Sequence, residues 1–135
     1  MSTILIIDDN ALVRNLLRCL LETIAPGGTI IEAGDGQEGL EKARQHRPAL
    51  VIVDGKMPHL CGNQVAAQMR AAPVTRHAYI IGLTGEGPDT PLVSGMRAHC
   101  DTILFKPCNS GQIIQACFNG LQHALPAGTG ELASG

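Results

Sequence analysis

Short apolar runs alternate along this chain with segments whose apolar residues recur at helical spacing. Five of the runs have the length and composition of β-strands. They cover residues 3–7, 29–33, 50–53, 79–83 and 102–105. Because strand and helix alternate throughout, and because crossovers between parallel strands are right-handed, the pattern predicts an α/β fold. We expect a doubly wound parallel sheet of five strands with helices on both faces.

The segments between the strands predict five helices. In the first, spacings of three and four place six apolar residues on one face: Val13, Leu16, Leu17, Leu20, Leu21 and Ile24. Pro26 and the two glycines after it end this helix. A Gly-Asp-Gly turn at 34–36 supplies a capping acid for the second helix, which runs to about His46.

The remaining helices carry similar signals. The third contains Val65, Ala66 and Met69, and the fourth begins near Thr90 with Pro91 in its first turn. The last begins at Asn109 or Ser110 and is expected to bury a set of apolar residues, namely Ile113, Ile114, Cys117 and Leu121. Residues 1–125 are therefore predicted to form one domain. Residues 126–135 have no periodicity and are interpreted as a flexible tail or linker.

Composition narrows the function. The 135 residues include 44% hydrophobic positions and carry a formal net charge of -2, which gives no reason to expect direct binding to nucleic acid. Tryptophan is absent, so stacking surfaces for bases are scarce. No apolar run approaches the roughly 20 residues that a membrane span needs. The chain begins without a basic, apolar leader, and we expect a cytoplasmic protein without membrane insertion.

Chemically capable residues stand where the strands end. Asp8 and Asp9 close the first run, Asp54 the third, Thr84 the fourth, and Lys106 follows the fifth. Parallel strands bring their carboxyl ends to one edge of a sheet, where open α/β folds hold their sites. Three carboxylates, a hydroxyl and an ammonium at one edge suit the binding of a divalent metal and the transfer of a phosphoryl group to a carboxylate.

With these residues in their order, the chain resembles the receiver domain of two-component response regulators. The likeness spans about residues 3–125. It rests on five motifs in the family's order: residues 6–10, 32–40, 51–58 with Gly62, 82–84 and 104–107. The resemblance implies a flavodoxin-like fold with strand order 2-1-3-4-5.

The resemblance also implies roles for the residues at the strand ends. Asp54 would be the phosphoacceptor, and Asp8, Asp9, Asp54 and the backbone carbonyl of Lys56 would hold Mg²⁺. Thr84 would sense the phosphoryl group, and Lys106 would contact one of its oxygens. The Lys106-Pro107 bond would be cis, as is typical of the family. Movement of Thr84 would reshape the surface of the fourth helix, fifth strand and fifth helix.

The implied function is that of a phosphoacceptor signalling domain in a two-component system or phosphorelay, which would catalyse only its own phosphorylation and dephosphorylation and is not otherwise an enzyme. The implied phosphodonor is a sensor histidine kinase or a histidine phosphotransfer protein. The implied output is a downstream protein target or an output domain outside this sequence.

The chain departs from the family pattern at two positions. Ile103 replaces the Tyr or Phe usually found three residues before the lysine, so an aromatic ring cannot swing inward on activation. Gly55 replaces a bulkier residue, which predicts a more mobile loop after Asp54. Lys56 and Glu86 carry opposite charges at two positions that flank the path of attacking water, and we predict that they pair and slow hydrolysis of the phosphoryl group.

Three alternatives stay open from the sequence. A pseudo-receiver would bind partners without phosphorylation, an interpretation that Ile103 mildly favours. A phosphatase with an aspartate nucleophile would want an acid two residues after it, where this chain has Lys56. Finally, Asp8 and Asp9 could simply cap the first helix.

The five cysteines are odd in number and include no CxxC pair, which disfavours a zinc site.

Overall fold

The computed structural model describes residues 2–123, so the predicted tail at 126–135 lies outside the described residues. Strands and helices alternate through this range. The strands are β1 (Thr3–Ile7), β2 (Thr29–Ala33), β3 (Leu50–Asp54), β4 (Tyr79–Thr84) and β5 (Thr102–Phe105). The helices are α1 (Ala11–Ile24), α2 (Gly36–His46), α3 (Gly62–Ala71), α4 (Pro91–Arg97) and α5 (Ser110–His123).

The five strands form one parallel sheet in the order β2-β1-β3-β4-β5, which confirms the predicted topology. The central strand β3 is buried along its whole length, as its unbroken apolar sequence indicated. Two hydrophobic clusters cover the faces of the sheet. One lies beneath α2 and α3 and includes Leu40, Val65 and Met69, and the other lies beneath α1 and α5 and includes Leu17, Leu21 and Cys117.

Local sequence signals explain where the helices begin. The Asn10 side chain accepts the Leu12 and Val13 N–H groups at 2.9 and 3.2 Å, so Asn10 caps α1 rather than either acid before it. Asp35 caps α2 as predicted, because its Oδ1 accepts the Glu38 N–H at 2.7 Å. At the start of α4, Thr90 is the cap and Pro91 occupies the first turn.

The predicted apolar face of α1 is wrong at one position. Leu17 and Leu21 are buried, but Leu16 is 67% exposed, as is Leu12 at 80%. Leu12 and Leu16 lie on an apolar line that faces solvent. The neighbouring line, with Leu17 and Leu21, faces the sheet. Spacing alone could not separate two adjacent apolar lines, because both repeat every three or four residues. In α5, Cys117 is buried as expected, while Ile113 and Ile114 are half-buried.

Two arginines of α1 fasten this helix to the edge strand β2. Arg14 and Arg18 donate from Nε to the two carboxylate oxygens of Glu32, at 3.1 and 2.6 Å. Arg18 also donates to the Ile30 carbonyl at 3.0 Å, and Arg14 to the Asp8 carbonyl at 2.6 Å. The hydrogen bond from Arg18, followed by that from Arg14, holds the pKa of Glu32 below its usual range.

We expect Glu32→Gln to lower the free energy of unfolding by about 1 kcal/mol at neutral pH. A carboxyl group whose pKa falls on folding stabilises the protein above its unfolded pKa, and this stabilisation is lost as pH falls through the lowered value. The deficit of the variant should therefore begin to shrink once pH falls below the ordinary glutamate pKa of about 4.3, and it should disappear only below the lowered pKa of the folded protein. Urea unfolding between pH 3 and 7 measures it, with Glu41→Gln on the exposed side of α2 as a matched control. An equal deficit in the control, or one independent of pH, would contradict this account.

Candidate metal and phosphoacceptor site

Four adjacent strands deliver polar side chains to one edge of the sheet. Asp8 and Asp9 follow β1, Asp54 ends β3, Thr84 ends β4, and Lys106 follows β5. The sheet order places β1 beside β3 and β3 beside β4. The convergence expected from the sequence is therefore present, because each strand ends at the same level of the sheet.

The three carboxylates form a compact group. One oxygen from each of Asp8, Asp9 and Asp54 lies within 4.8 Å of the other two. Asp8 and Asp54 are buried, at 2% and 7% exposure, whereas Asp9 is exposed. Asp8 Oδ1 accepts the Asn10 N–H at 2.9 Å, but its buried Oδ2 has no hydrogen-bond partner within the described residues. Hard divalent cations prefer such oxygen ligands. A bound cation would give the unpartnered Oδ2 of Asp8 the partner that it lacks.

Burial sets the electrostatics of this group. Loss of hydration raises the pKa of Asp8, and the nearby charge of Asp54 raises it further, against the Asn10 hydrogen bond. Burial likewise raises the pKa of Asp54, although its hydrogen bond from Lys106 opposes the shift. Without a cation, both acids therefore carry their negative charge at a cost to the folded state.

Lys106 reaches Asp54 across an intervening strand. Its Nζ lies 3.0 Å from Asp54 Oδ1, although β4 separates β5 from β3. Neighbouring strands are about 4.8 Å apart, so only a long side chain can cover this distance. The Lys106-Pro107 peptide is cis, as the resemblance implied.

Thr84 is fully buried beside this pair. Its Oγ1 accepts the Glu86 N–H at 3.0 Å, which ties the hydroxyl to the loop that follows β4. Its carbonyl accepts the Lys106 N–H at 2.7 Å. Thr84 is thus bonded both to the loop before α4 and to the residue that contacts Asp54.

The predicted pairing of Lys56 with Glu86 is confirmed. Lys56 Nζ lies 3.9 Å from Glu86 Oε1, with the two side chains 77% and 39% exposed. An exposed pair at this distance contributes little to stability. Its position matters more, because Lys56 follows Asp54 by two residues and Glu86 follows Thr84 by two.

Gly62 and Gly55 shape the loop behind Asp54. A side chain at position 62 would overlap the Asp54 carbonyl oxygen, so α3 can begin this close to the site only with glycine. The Gly62 N–H donates to the Gly55 carbonyl at 2.8 Å, and the Gly55 N–H donates to the Leu83 carbonyl at 2.9 Å. Gly55 is also buried. These hydrogen bonds hold the Gly55 backbone between β4 and the start of α3. The mobility predicted for the loop after Asp54 stays a prediction.

Sequence reasoning missed Arg14. Its bond to the Asp8 carbonyl supports the acidic group from behind, and Glu32 orients it. The available signal was a single acid in β2 together with two arginines spaced four residues apart in an apolar helix.

The fold and the site together define a doubly wound α/β domain with an acidic group at the carboxyl edge of its sheet. The family model for the response regulator receiver domain matches residues 4–118. The chain belongs to this family and is a receiver domain of two-component signalling, a class of signalling domains rather than of classical enzymes. Membership implies interaction with a histidine kinase or a phosphotransfer partner. No helix described between residues 2 and 123 has the length and apolar character that crossing a bilayer requires.

Comparisons with known proteins agree with this assignment. The chain is 34% identical over 113 residues to the transcriptional regulatory protein SrrA of Staphylococcus aureus, an alignment that covers 84% of this chain and 45% of that protein. The chain therefore matches less than half of that relative. A response regulator receiver domain protein of Clostridium thermocellum superposes with a TM-score of 0.78 at 27% identity, covering 90% of this chain and 95% of that one. The chemotaxis protein CheY4 of Vibrio cholerae gives 0.74 at 27% identity, covering 93% and 99%.

We expect Asp8→Asn to raise the melting temperature of the metal-free protein by a few degrees at neutral pH, because it removes a buried charge but keeps an oxygen for the Asn10 N–H. A raised carboxyl pKa means that the destabilisation is absent in acid and complete once pH exceeds that pKa. The gain should therefore shrink as pH falls. Asp9→Asn, which removes an exposed charge from the same group, should gain less. Melting curves in the presence of a chelator test this, and a destabilised Asp8→Asn protein would refute it.

Proposed function

We propose that Asp54 of this receiver domain accepts a phosphoryl group from a phosphohistidine of a sensor histidine kinase or histidine phosphotransfer protein, and that the modification changes binding to a downstream partner. The observation that carries the proposal is the convergence of three carboxylates and Lys106 around one buried aspartate. A purely structural role would not favour so many charges at a partly dehydrated edge.

The transfer is a substitution at phosphorus. A carboxylate oxygen of Asp54 attacks, a P–O bond forms, and the P–N bond to the donor histidine breaks. The bonding electrons leave with the imidazole nitrogen, which takes up a proton. Positioning and charge neutralisation are most of what such a reaction requires of a protein.

Asp8, Asp9, Asp54 and the backbone carbonyl of Lys56 would hold Mg²⁺. The unpartnered, buried Oδ2 of Asp8 supports this assignment, since a cation would supply the missing partner. Bound Mg²⁺ would neutralise negative charge on the acids and on the phosphoryl oxygens. The Lys106 ammonium would add a second positive charge, and its 3.0 Å hydrogen bond to Asp54 Oδ1 supports this role.

Thr84 would respond to the product. Phosphorylation adds about one to two negative charges and three acceptor oxygens next to a hydroxyl that is now bonded to the Glu86 N–H. If the Thr84 hydroxyl donated to a phosphoryl oxygen, its movement would pull the loop at 85–90 toward the site. The start of α4, which follows this loop, would move with it.

Incubation with Mg²⁺ and acetyl phosphate should add one phosphoryl group per chain, measured by intact mass. Asp54→Asn should abolish the adduct, because the amide is a poor nucleophile, and a chelator should prevent it in the unaltered protein. Asp35→Asn, an acid that caps α2 away from the group, is the matched control and should behave as the unaltered protein does. Absence of any adduct, with the fold intact, would instead favour the phosphorylation-independent interaction module.

Separating Lys56 from Glu86 should speed loss of the phosphoryl group. Lys56→Ala and Glu86→Ala each remove a contact worth up to about 1 kcal/mol, so the acyl-phosphate half-life should shorten by no more than about fivefold. The double variant Lys56→Glu with Glu86→Lys keeps an opposite-charge pair and should restore a long half-life. Decay followed by mass after removal of the donor gives the values, and unchanged half-lives in both single variants would reject the idea.

A further inference from the structure

Two glycines leave a gap between β4 and α4 directly behind the acidic site. Gly55 follows Asp54, and Gly82 lies in β4, where it pairs with Val53 on one side and Ile103 on the other. Both glycines are buried. Since protein interiors are close-packed, another side chain must fill the space that two absent side chains leave.

Met96 of α4 fills this space. A side chain at position 82 would overlap Met96 Cε, and one at position 55 would come within 3.0 Å of Met96 Sδ. The methionine is fully buried. Its unbranched thioether therefore reaches from α4 to both glycines, a shape that a branched residue could not adopt.

The same gap borders Thr84. A side chain at position 55 would also lie 3.0 Å from Thr84 Cβ and 3.0 Å from Thr84 Oγ1. Met96 Sδ and the Thr84 hydroxyl thus line one small volume behind the acceptor. A displacement of either changes the space left to the other, because a packed interior deforms little.

Ile103 lies at the far end of this volume. A side chain at position 82 would be 3.7 Å from Ile103 Cγ1. Ile103 is half-buried, and it replaces the Tyr or Phe that is usual at this position in the family. Next to Met96, the Arg97 guanidinium lies 5.8 Å from the centre of the Phe105 ring, and Phe105 precedes Lys106. Helix α4 therefore contacts the neighbourhood of both Thr84 and Lys106.

We propose that Met96 is the positioning residue that transmits phosphorylation of Asp54 to α4, in place of an aromatic residue at position 103. Movement of Thr84 toward a phosphoryl oxygen enlarges the volume that it shares with Met96 Sδ, the thioether follows, and α4 shifts with it. This inference rests on the proposed function, since it requires a modification at Asp54. The physical basis is a contiguous chain of contacts from Gly55 and Thr84 through Met96 to α4.

Amide NMR spectra of residues 92–97, the part of α4 that carries backbone N–H groups, test the proposal. Mg²⁺ with beryllium fluoride, a phosphoryl mimic that binds carboxylates, should shift these amide signals in the unaltered protein. Met96→Leu keeps the apolar volume and the fold but lacks the end of the thioether arm, so the shift should be largely lost. Met96→Ala should lose it as well, with lower thermal stability.

Val93→Ala is the matched control, because Val93 is buried in the same helix one turn earlier and contributes none of the three atoms nearest to a side chain at position 55 or 82. It should lose stability yet keep the response of residues 92–97. A full response in both Met96 variants would overturn the proposal. Equal loss in Val93→Ala would also overturn it, since the effect would then come from a loosened helix.

Intact mass after treatment with acetyl phosphate separates this inference from the proposed function. If the unaltered protein gains the adduct but the amides of α4 do not respond to beryllium fluoride, the Met96 proposal is wrong while phosphorylation stands. If no adduct forms, the proposed function itself fails.

Discussion

The bond between Lys106 and Asp54 is the contact on which the arrangement of the site depends. Two buried carboxylates and an exposed one share a few ångströms at the edge of the sheet, and the Lys106 ammonium lies 3.0 Å from Asp54. Its reach across β4 works only because four parallel strands end at the same level. The doubly wound topology is thus a requirement of the site, since it brings Lys106 into contact with Asp54 although they are 52 positions apart in sequence.

Much of the fold could be predicted because the strands are short, apolar and separated by clear helix signals. Strand order was available only through the resemblance, since alternation of strands and helices does not determine which strands are neighbours. The error at Leu16 has a physical cause. Leu12 and Leu16 lie on one apolar line of α1 and Leu17 and Leu21 on the next, and only contact with the sheet decides which line is buried.

The candidate site was predictable residue by residue, whereas its supports were not. Asp8, Asp54, Thr84 and Lys106 each follow an apolar run, a signal that sequence carries directly. The placement of Arg14 depends on an acid in strand β2, and the packing of Met96 depends on glycines at positions 55 and 82, in two other elements. Absent side chains leave no periodic signal, so a gap formed by glycines becomes visible only in three dimensions.

The link from Glu32 through Arg14 to the Asp8 carbonyl connects a solvent-accessible edge strand to the acidic group. Dissolved ions weaken such partly exposed pairs, because the Debye length is only about 8 Å at 0.15 M ionic strength. Added electrolyte would therefore loosen the support of Asp8 from the outside while also weakening repulsion among the acids. Both effects would lower the affinity of this edge for a divalent cation, the first by loosening the placement of the Asp8 backbone and the second by screening the charge that attracts the cation.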